Sequence, residues 1–181
     1  MEKTKNINLT SGSILKQLFL LAVPIIGTSF VQTAYNLIDM FWIGFLGANA
    51  VAAVGIAGFF VWLSNGITLL SRTGTEIRVA QYTGAGEDEE AKRYAKAGLF
   101  SVIAIALVFT LLVYGLRDPL VSFFRTKDNY VDQMSKDYLK VVSLGFVFAF
   151  FNQVMTGVFN GRGNSSFPFR LNTFGLVINI L

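Results

Sequence analysis

One uncharged apolar stretch, residues 18–38, carries polar side chains at helical spacing and is followed directly by a carboxylate. The polar residues of this stripe are Thr28, Gln32, Tyr35, Asn36 and Asp39. At 100° per residue they fall within one arc of about 100° on an α-helix. An unsatisfied polar group in lipid is costly, so we expect the stripe to face protein or a water-filled cavity.

Asp39 is the residue of this stripe that could do chemistry. A carboxylate screened from bulk water can exchange a proton, and with nearby hydroxyl and amide oxygens it can hold Na⁺. Pro24 removes a backbone donor and crowds the carbonyl of Leu20, so we expect a bend there. A simple membrane anchor needs neither residue. The alternative is that Asp39 lies close enough to the membrane surface to be hydrated and caps the turn at 44–47.

The composition is that of an integral membrane protein, whose first partner is the lipid bilayer. Of 181 residues, 53% are hydrophobic and 14% charged, against about 25% charged in soluble domains. The sequence has no Cys and no His, which excludes disulfides, thiolate nucleophiles, imidazole bases and the usual zinc sites. The net charge of +4 is small and unevenly placed, which indicates membrane topology rather than nucleic-acid binding.

The hydropathy pattern predicts an all-α fold, a polytopic membrane bundle of about five helices. Their approximate ranges are 14–45, 50–82, 88–116, 130–160 and 167–181. The last rises only about 22 Å, which is too short to cross a hydrocarbon core of about 30 Å. We therefore expect further residues to complete the helix and the protein. Most Lys and Arg residues lie on one side if the N-terminus is cytoplasmic, which predicts that orientation.

Three more helices carry polar residues at spacings of three and four. They are Ser64, Thr68, Ser71 and Thr75 on the second, Asn152, Thr156 and Asn160 on the fourth, and Asn172 and Asn179, with Gly175 between them, on the fifth. We expect these stripes and that of the first helix to converge on a central cavity. No nucleophile and base stand together, so a membrane enzyme is the least favoured class.

Several motifs, in this order, resemble the multidrug and toxic compound extrusion (MATE) transporters. They are Pro24 with 35–44 (YNLIDMFWIG), Leu46-Gly47, Ala52 to Gly55, Ala80-Gln81-Tyr82 before 84–86, and 157–168. The resemblance covers the whole chain. It implies a fold of twelve helices in two six-helix lobes, of which residues 1–181 would be an incomplete N-terminal lobe lacking the C-terminal half of the transporter.

The resemblance also implies an activity and its residues. Members export cationic or amphipathic drugs across the plasma (inner) membrane in exchange for H⁺ or Na⁺, by alternating access. By position, Asp39 resembles the carboxylate of their cation site, Tyr35 and Gln32 its stripe partners, and Asn179 the amide of the fifth helix. Pro24 resembles the residue where their first helix bends. A second family carboxylate would follow Asn179 by four residues, beyond the end of this sequence.

These observations together give one prediction and two alternatives. We expect cation coupling at Asp39, Tyr35 and Asn179, with H⁺ or Na⁺ as the coupling ion and no other cofactor. The expected substrate cavity is lined by Thr28, Gln32, Asn36, Asn152 and Thr156. One alternative is a flippase for lipid-linked precursors, whose cavity should carry several basic residues for pyrophosphate; the first, third, fourth and fifth helices have none deep inside. The other is a non-transporting scaffold or channel subunit, in which Asp39 would be dispensable.

Overall fold

The computed structural model describes residues 13–180, of which 89% are helical and none lies in a strand. The all-α prediction is therefore confirmed. The two ends of the sequence, residues 1–12 and Leu181, lie outside the described part, so the last residue of the predicted helix 167–181 does too. The helices, in chain order, are α1 (Ile14–Gly44), α2 (Ala48–Gly84), α3 (Asp88–Gly115), α4 (Arg117–Ser122), α5 (Asn129–Gly161) and α6 (Ser166–Ile180).

Four of the described helices, α1, α2, α3 and α5, are long and apolar enough to cross a membrane. Short turns join α1 to α2 and α2 to α3, and the connection from α3 to α5 contains α4. The directions of the four helices alternate, since Thr75 of α2 lies at Gly98 of α3 and Thr110 of α3 bonds Ser143 of α5. We call the side where α1 begins the near side; it also holds the α2–α3 turn and the α5–α6 loop. Gly86 and Gly163, with φ of 78° and 76°, occupy these two tight connections, and glycine adopts such positive φ without steric cost. The α1–α2 turn and α4 lie on the far side.

Helices α2, α3 and α5 form a closely packed bundle, with α4 against its far end. The largest fully buried side chain in it is Phe150 of α5, which packs against Phe109 of α3 with ring centroids 5.8 Å apart. Two glycines permit the close packing. A Cβ on Gly161 would lie 2.7 Å from the backbone oxygen of Glu76, and one on Gly98 would overlap Thr75. Small residues let helix backbones approach closely inside membranes.

The polar stripe predicted for the second helix lies largely inside this bundle, so the expectation that it lines a central cavity is wrong. Ser64, Thr68 and Thr75 are buried. Each hydroxyl donates to a carbonyl of its own helix; that of Thr68 donates to the oxygen of Ser64 at 2.7 Å. A hydroxyl satisfied in this way can enter a helix interface without another partner.

Helices α1 and α6 form a separate pair. Helix α1 packs mainly on α6 and only lightly on α2, while α6 touches α5 at few points. The buried residues are Val31 in α1 and Pro168 in α6. Both helices begin on the near side, so they run parallel. The described chain is therefore a three-helix bundle and a helix pair, with a seam between them.

Candidate functional site

The far half of the α1–α6 interface joins two of the three residues expected to couple a cation, Asp39 and Asn179. The side-chain nitrogen of Asn179 donates to Oδ1 of Asp39 at 2.9 Å, and both residues are half-buried. A hydrogen bond to a charged group contributes about 1.5–3 kcal/mol. The side-chain oxygen of Asn179 is buried and has no hydrogen-bond partner among residues 13–180. The pair thus offers a carboxylate and a spare amide oxygen side by side.

A third group, the phenol of Tyr138 in α5, lies within electrostatic range of the Asp39 carboxylate. Tyr138 is half-buried and belongs to the three-helix bundle. Sequence reasoning missed it, because Tyr138 stands in a mixed-charge segment where no stripe points to it.

A cavity of about 580 Å³ lies along the same seam, toward the near side from Asp39. Its polar lining comes from three helices: Gln32, Tyr35 and Asn36 of α1, Asn152 of α5 and Asn172 of α6. The volume is within the usual range for small-molecule pockets, about 300–1,000 Å³. No charged residue is among those that line it. Five residues of the predicted polar stripes therefore meet in one neutral, amide-rich cavity, among them Tyr35, which was expected at the cation site.

A second cavity of about 680 Å³ lies between α1, α2 and α5 and shares Gln32 and Asn36 with the first. Here the side-chain nitrogen of Gln153 donates to Oδ1 of Asn65 at 2.6 Å, and Trp62 is part of the wall. Sequence reasoning missed Asn65 and Gln153, although each stands next to a residue that it selected. The signal that could have found them is chemical: a side-chain amide has two N–H donors and an oxygen acceptor, so one bond to its own helix, such as that from Asn172 to the carbonyl of Pro168, leaves the rest of the amide to find partners elsewhere.

The two predicted threonines occupy other places. The hydroxyl of Thr28 donates to the carbonyl of Pro24 at 3.0 Å, and Thr28 is not among the residues lining either large cavity. Thr156 is buried and donates to the carbonyl of Asn152 at 2.9 Å. It borders a smaller apolar pocket of about 140 Å³ between α5 and α6. Both hydroxyls are thus engaged by their own helices.

Within residues 13–180, no three His, Cys, Asp or Glu side chains cluster as a metal site. A monovalent cation at Asp39 would instead be held by one carboxylate and neutral oxygens. The unpartnered oxygen of Asn179 fits that donor set. Pro24 lies inside α1, which continues as helix on both sides of it.

Comparison with known proteins gives consistent results at three levels. The MatE family model matches residues 24–181. The chain is 26% identical over 176 residues to the probable multidrug resistance protein YpnP of Bacillus subtilis, covering 97% of this chain and 39% of that protein. It is 24% identical over 167 residues to the probable multidrug resistance protein NorM of Thermotoga maritima, covering 92% and 36%.

Two solved structures have the same arrangement of helices. One, from Pyrococcus furiosus, is described as a MOP superfamily transporter whose reversed pocket polarity suggests a different function. The other is the outward-facing conformation of a multidrug resistance MATE family transporter. Each has a TM-score of 0.86 and 27% identity, and covers 99% of this chain and 40% of the other. The chain thus spans about two fifths of the length of these proteins.

Proposed function

Because the chain belongs to the MatE family of membrane transporters, we propose that it is part of a secondary active multidrug efflux antiporter. The antiporter would export cationic or amphipathic compounds in exchange for H⁺ or Na⁺. Residues 1–181 would form most of the N-terminal six-helix lobe, and a C-terminal half of the transporter would be its partner across the seam. Alternating access would come from movement between the two lobes.

The observation that carries the proposal is the hydrogen bond between Asn179 and Asp39. While Asp39 is ionised, its carboxylate accepts from the amide and holds α1 to α6. A proton on that carboxylate, or a Na⁺ shared between it and the amide oxygen, changes the strength and geometry of this contact. The cation can therefore act on how α1 and α6 are held together.

The neutral lining supports drugs as the cargo. No Lys or Arg lines the 580 Å³ or the 680 Å³ cavity, whereas a pyrophosphate group would need basic partners. Amides from α1, α5 and α6 offer both donors and acceptors. Phe174 and Trp62 add aromatic surface, which suits amphipathic organic cations. The lining thus favours an exporter of such compounds over a flippase for lipid-linked precursors.

The distribution of basic residues supports a cytoplasmic near side in the plasma (inner) membrane. Arg78, Lys92, Arg93 and Arg162 lie at the near-side ends and connections of the helices. With Lys16, Arg72, Lys96 and Arg170, the near-side half of residues 13–180 has eight basic residues, against five toward the far side: Arg117, Arg125, Lys127, Lys136 and Lys140. Since cytoplasmic loops carry an excess of Lys and Arg, Asp39 would be nearer the extracellular surface.

The test is drug export by the complete protein with Asp39→Asn. Because Asn cannot ionise, it should abolish cation-driven drug export in proteoliposomes while expression stays normal. Asp137→Asn is the matched control, since Asp137 is an exposed α5 carboxylate whose side chain accepts only from Gln133 among the described hydrogen bonds. Comparing export at fixed pH with and without Na⁺ identifies the ion. Unchanged export by Asp39→Asn contradicts the coupling role.

A further inference from the structure

The segment that opens α6 touches α1 on both sides of Pro24. On the near side, the hydroxyl of Ser165 donates to the carbonyl of Leu21 at 3.3 Å, and Ser165 is buried. On the far side, the ring of Phe169 lies against Gly27, where an added Cβ would come within 2.7 Å of it. The two contacts thus fall three residues before and three residues after the proline.

Pro24 is the point at which α1 is least restrained by its own hydrogen bonds. It has no N–H to donate to the carbonyl of Leu20, and its ring crowds that carbonyl. Helices bend at such positions. Contacts from a neighbouring element on both sides of the proline therefore decide how far the two halves of α1 can move relative to each other.

We propose that Ser165 and Phe169 splint α1 across Pro24, and that this splint positions Asn179 against Asp39. From Gly27 to Asp39, α1 rises about 18 Å, and from Phe169 to Asn179, α6 rises about 15 Å. Because the helices run parallel, the contact between Gly27 and Phe169 fixes the axial position and rotation of α6 on α1. It thereby fixes where Asn179 lies relative to Asp39. The splint rests on the proposed function only for its effect on transport, not for its effect on helix geometry.

Gly27 is the residue that allows this register. An added Cβ there would come within 2.7 Å of the half-buried ring of Phe169, so either the ring turns aside or α6 moves outward or slides along α1; the splint requires the movement of α6. A hydrogen bond tolerates displacements of only a few tenths of an ångström before it weakens. The amide of Asn179 would then leave the carboxylate of Asp39. Ser165, Gly27 and Phe169 are therefore positioning residues for the coupling pair.

The experiment measures helix separation directly in the complete protein. Spin labels are attached to Met40→Cys and Ile180→Cys, which follow Asp39 and Asn179 and are both exposed; this chain has no native cysteine, and any in the remainder of the protein are replaced by serine. Gly27→Ala should lengthen the mean label distance and broaden its distribution. Gly27→Ala with Phe169→Leu should bring it back toward the original, because the smaller side chain leaves room for the added methyl group.

Gly44→Ala is the matched control on the same helix, because a Cβ there meets nothing within 4 Å; it should leave the label distance unchanged. Ser165→Ala should broaden the distribution less than Gly27→Ala. Cation-driven export should fall about tenfold or more in Gly27→Ala, as expected for losing a hydrogen bond to a charged group, and recover in the double variant.

An unchanged label distance in Gly27→Ala overturns the splint, whatever happens to transport. Failure of Phe169→Leu to reverse the change in Gly27→Ala also overturns it. Failure of the proposed function is a separate result: the unmodified protein would show no cation-driven export, while its label distance still responded to the variants as described.

Discussion

The amide of Asn179 is the smallest group whose removal tests the proposed coupling site, because it gives one hydrogen bond to Asp39 and its oxygen has no partner in the described part of the chain. We expect Asn179→Leu in the complete protein to lower the apparent affinity for the coupling cation by about tenfold or more. The measurement is the cation concentration for half-maximal export. Thr173→Val is the control, since its hydroxyl bonds only the carbonyl of Phe169 in its own helix. Equal apparent affinities for the cation in the two variants would show that Asn179 is not part of the cation site.

For the hydroxyl of Thr68 we expect the opposite result, namely that its removal leaves transport nearly unchanged. It is fully buried and donates to the carbonyl of Ser64, so it is available neither to a drug nor to a cation. Thr68→Val should change export by less than about twofold and the free energy of unfolding by no more than about 1 kcal/mol. Transport assays and thermal unfolding in detergent measure both. A large loss of export with normal stability would instead indicate that the polar stripe of α2 lines the transport cavity.

At the scale of helices, the crossing of α2 and α5 depends on Gly161. A Cβ there would come within 2.7 Å of the Glu76 backbone oxygen, and a backbone atom cannot move aside as a flexible side chain can. Gly161→Ala should therefore lower the free energy of unfolding by about 1–3 kcal/mol. Gly145→Ala on the same helix meets nothing within 4 Å and should be neutral or stabilising, by up to about 1 kcal/mol. Thermal melting of the two purified variants compares them, and equal melting temperatures would contradict close packing at Gly161.

The helices show what a sequence can and cannot reveal about such a site. The α1 stripe was visible because polar residues at helical period stand out in an uncharged apolar segment, and the structure places Gln32 and Asn36 in cavity walls. The hydroxyls of α2 also recur at helical period, although they lie inside the bundle. Serine and threonine can occupy such positions because they can hydrogen-bond to carbonyls of their own helix. The bond between Asn65 and Gln153 joins residues 88 positions apart. Its detection requires the packing of α2 on α5, which no local pattern contains.

Within residues 13–180, one face of α1 is exposed, with Phe30, Leu37 and Phe41 on it, and the chain spans about two fifths of the length of its relatives. We expect residues 1–181 alone, reconstituted in liposomes, to insert with high helical content but to show no cation-driven export, because no second lobe is there to move against. Circular dichroism and a drug-uptake assay measure the two properties, with the complete protein as control. Export by the short chain alone would contradict the two-lobe proposal.

The distance along the chain between Asp39 and Asn179 has a consequence for biosynthesis. The two residues are 140 positions apart, and ribosomes add about 5–20 residues per second, so roughly 7–28 s separate their synthesis. During that interval α1 is already in the bilayer without the helix that holds its carboxylate. The proposed cation site would therefore be among the last parts of this chain to assemble, and a nascent protein arrested before α6 would carry an acidic side chain whose amide partner has not yet been made.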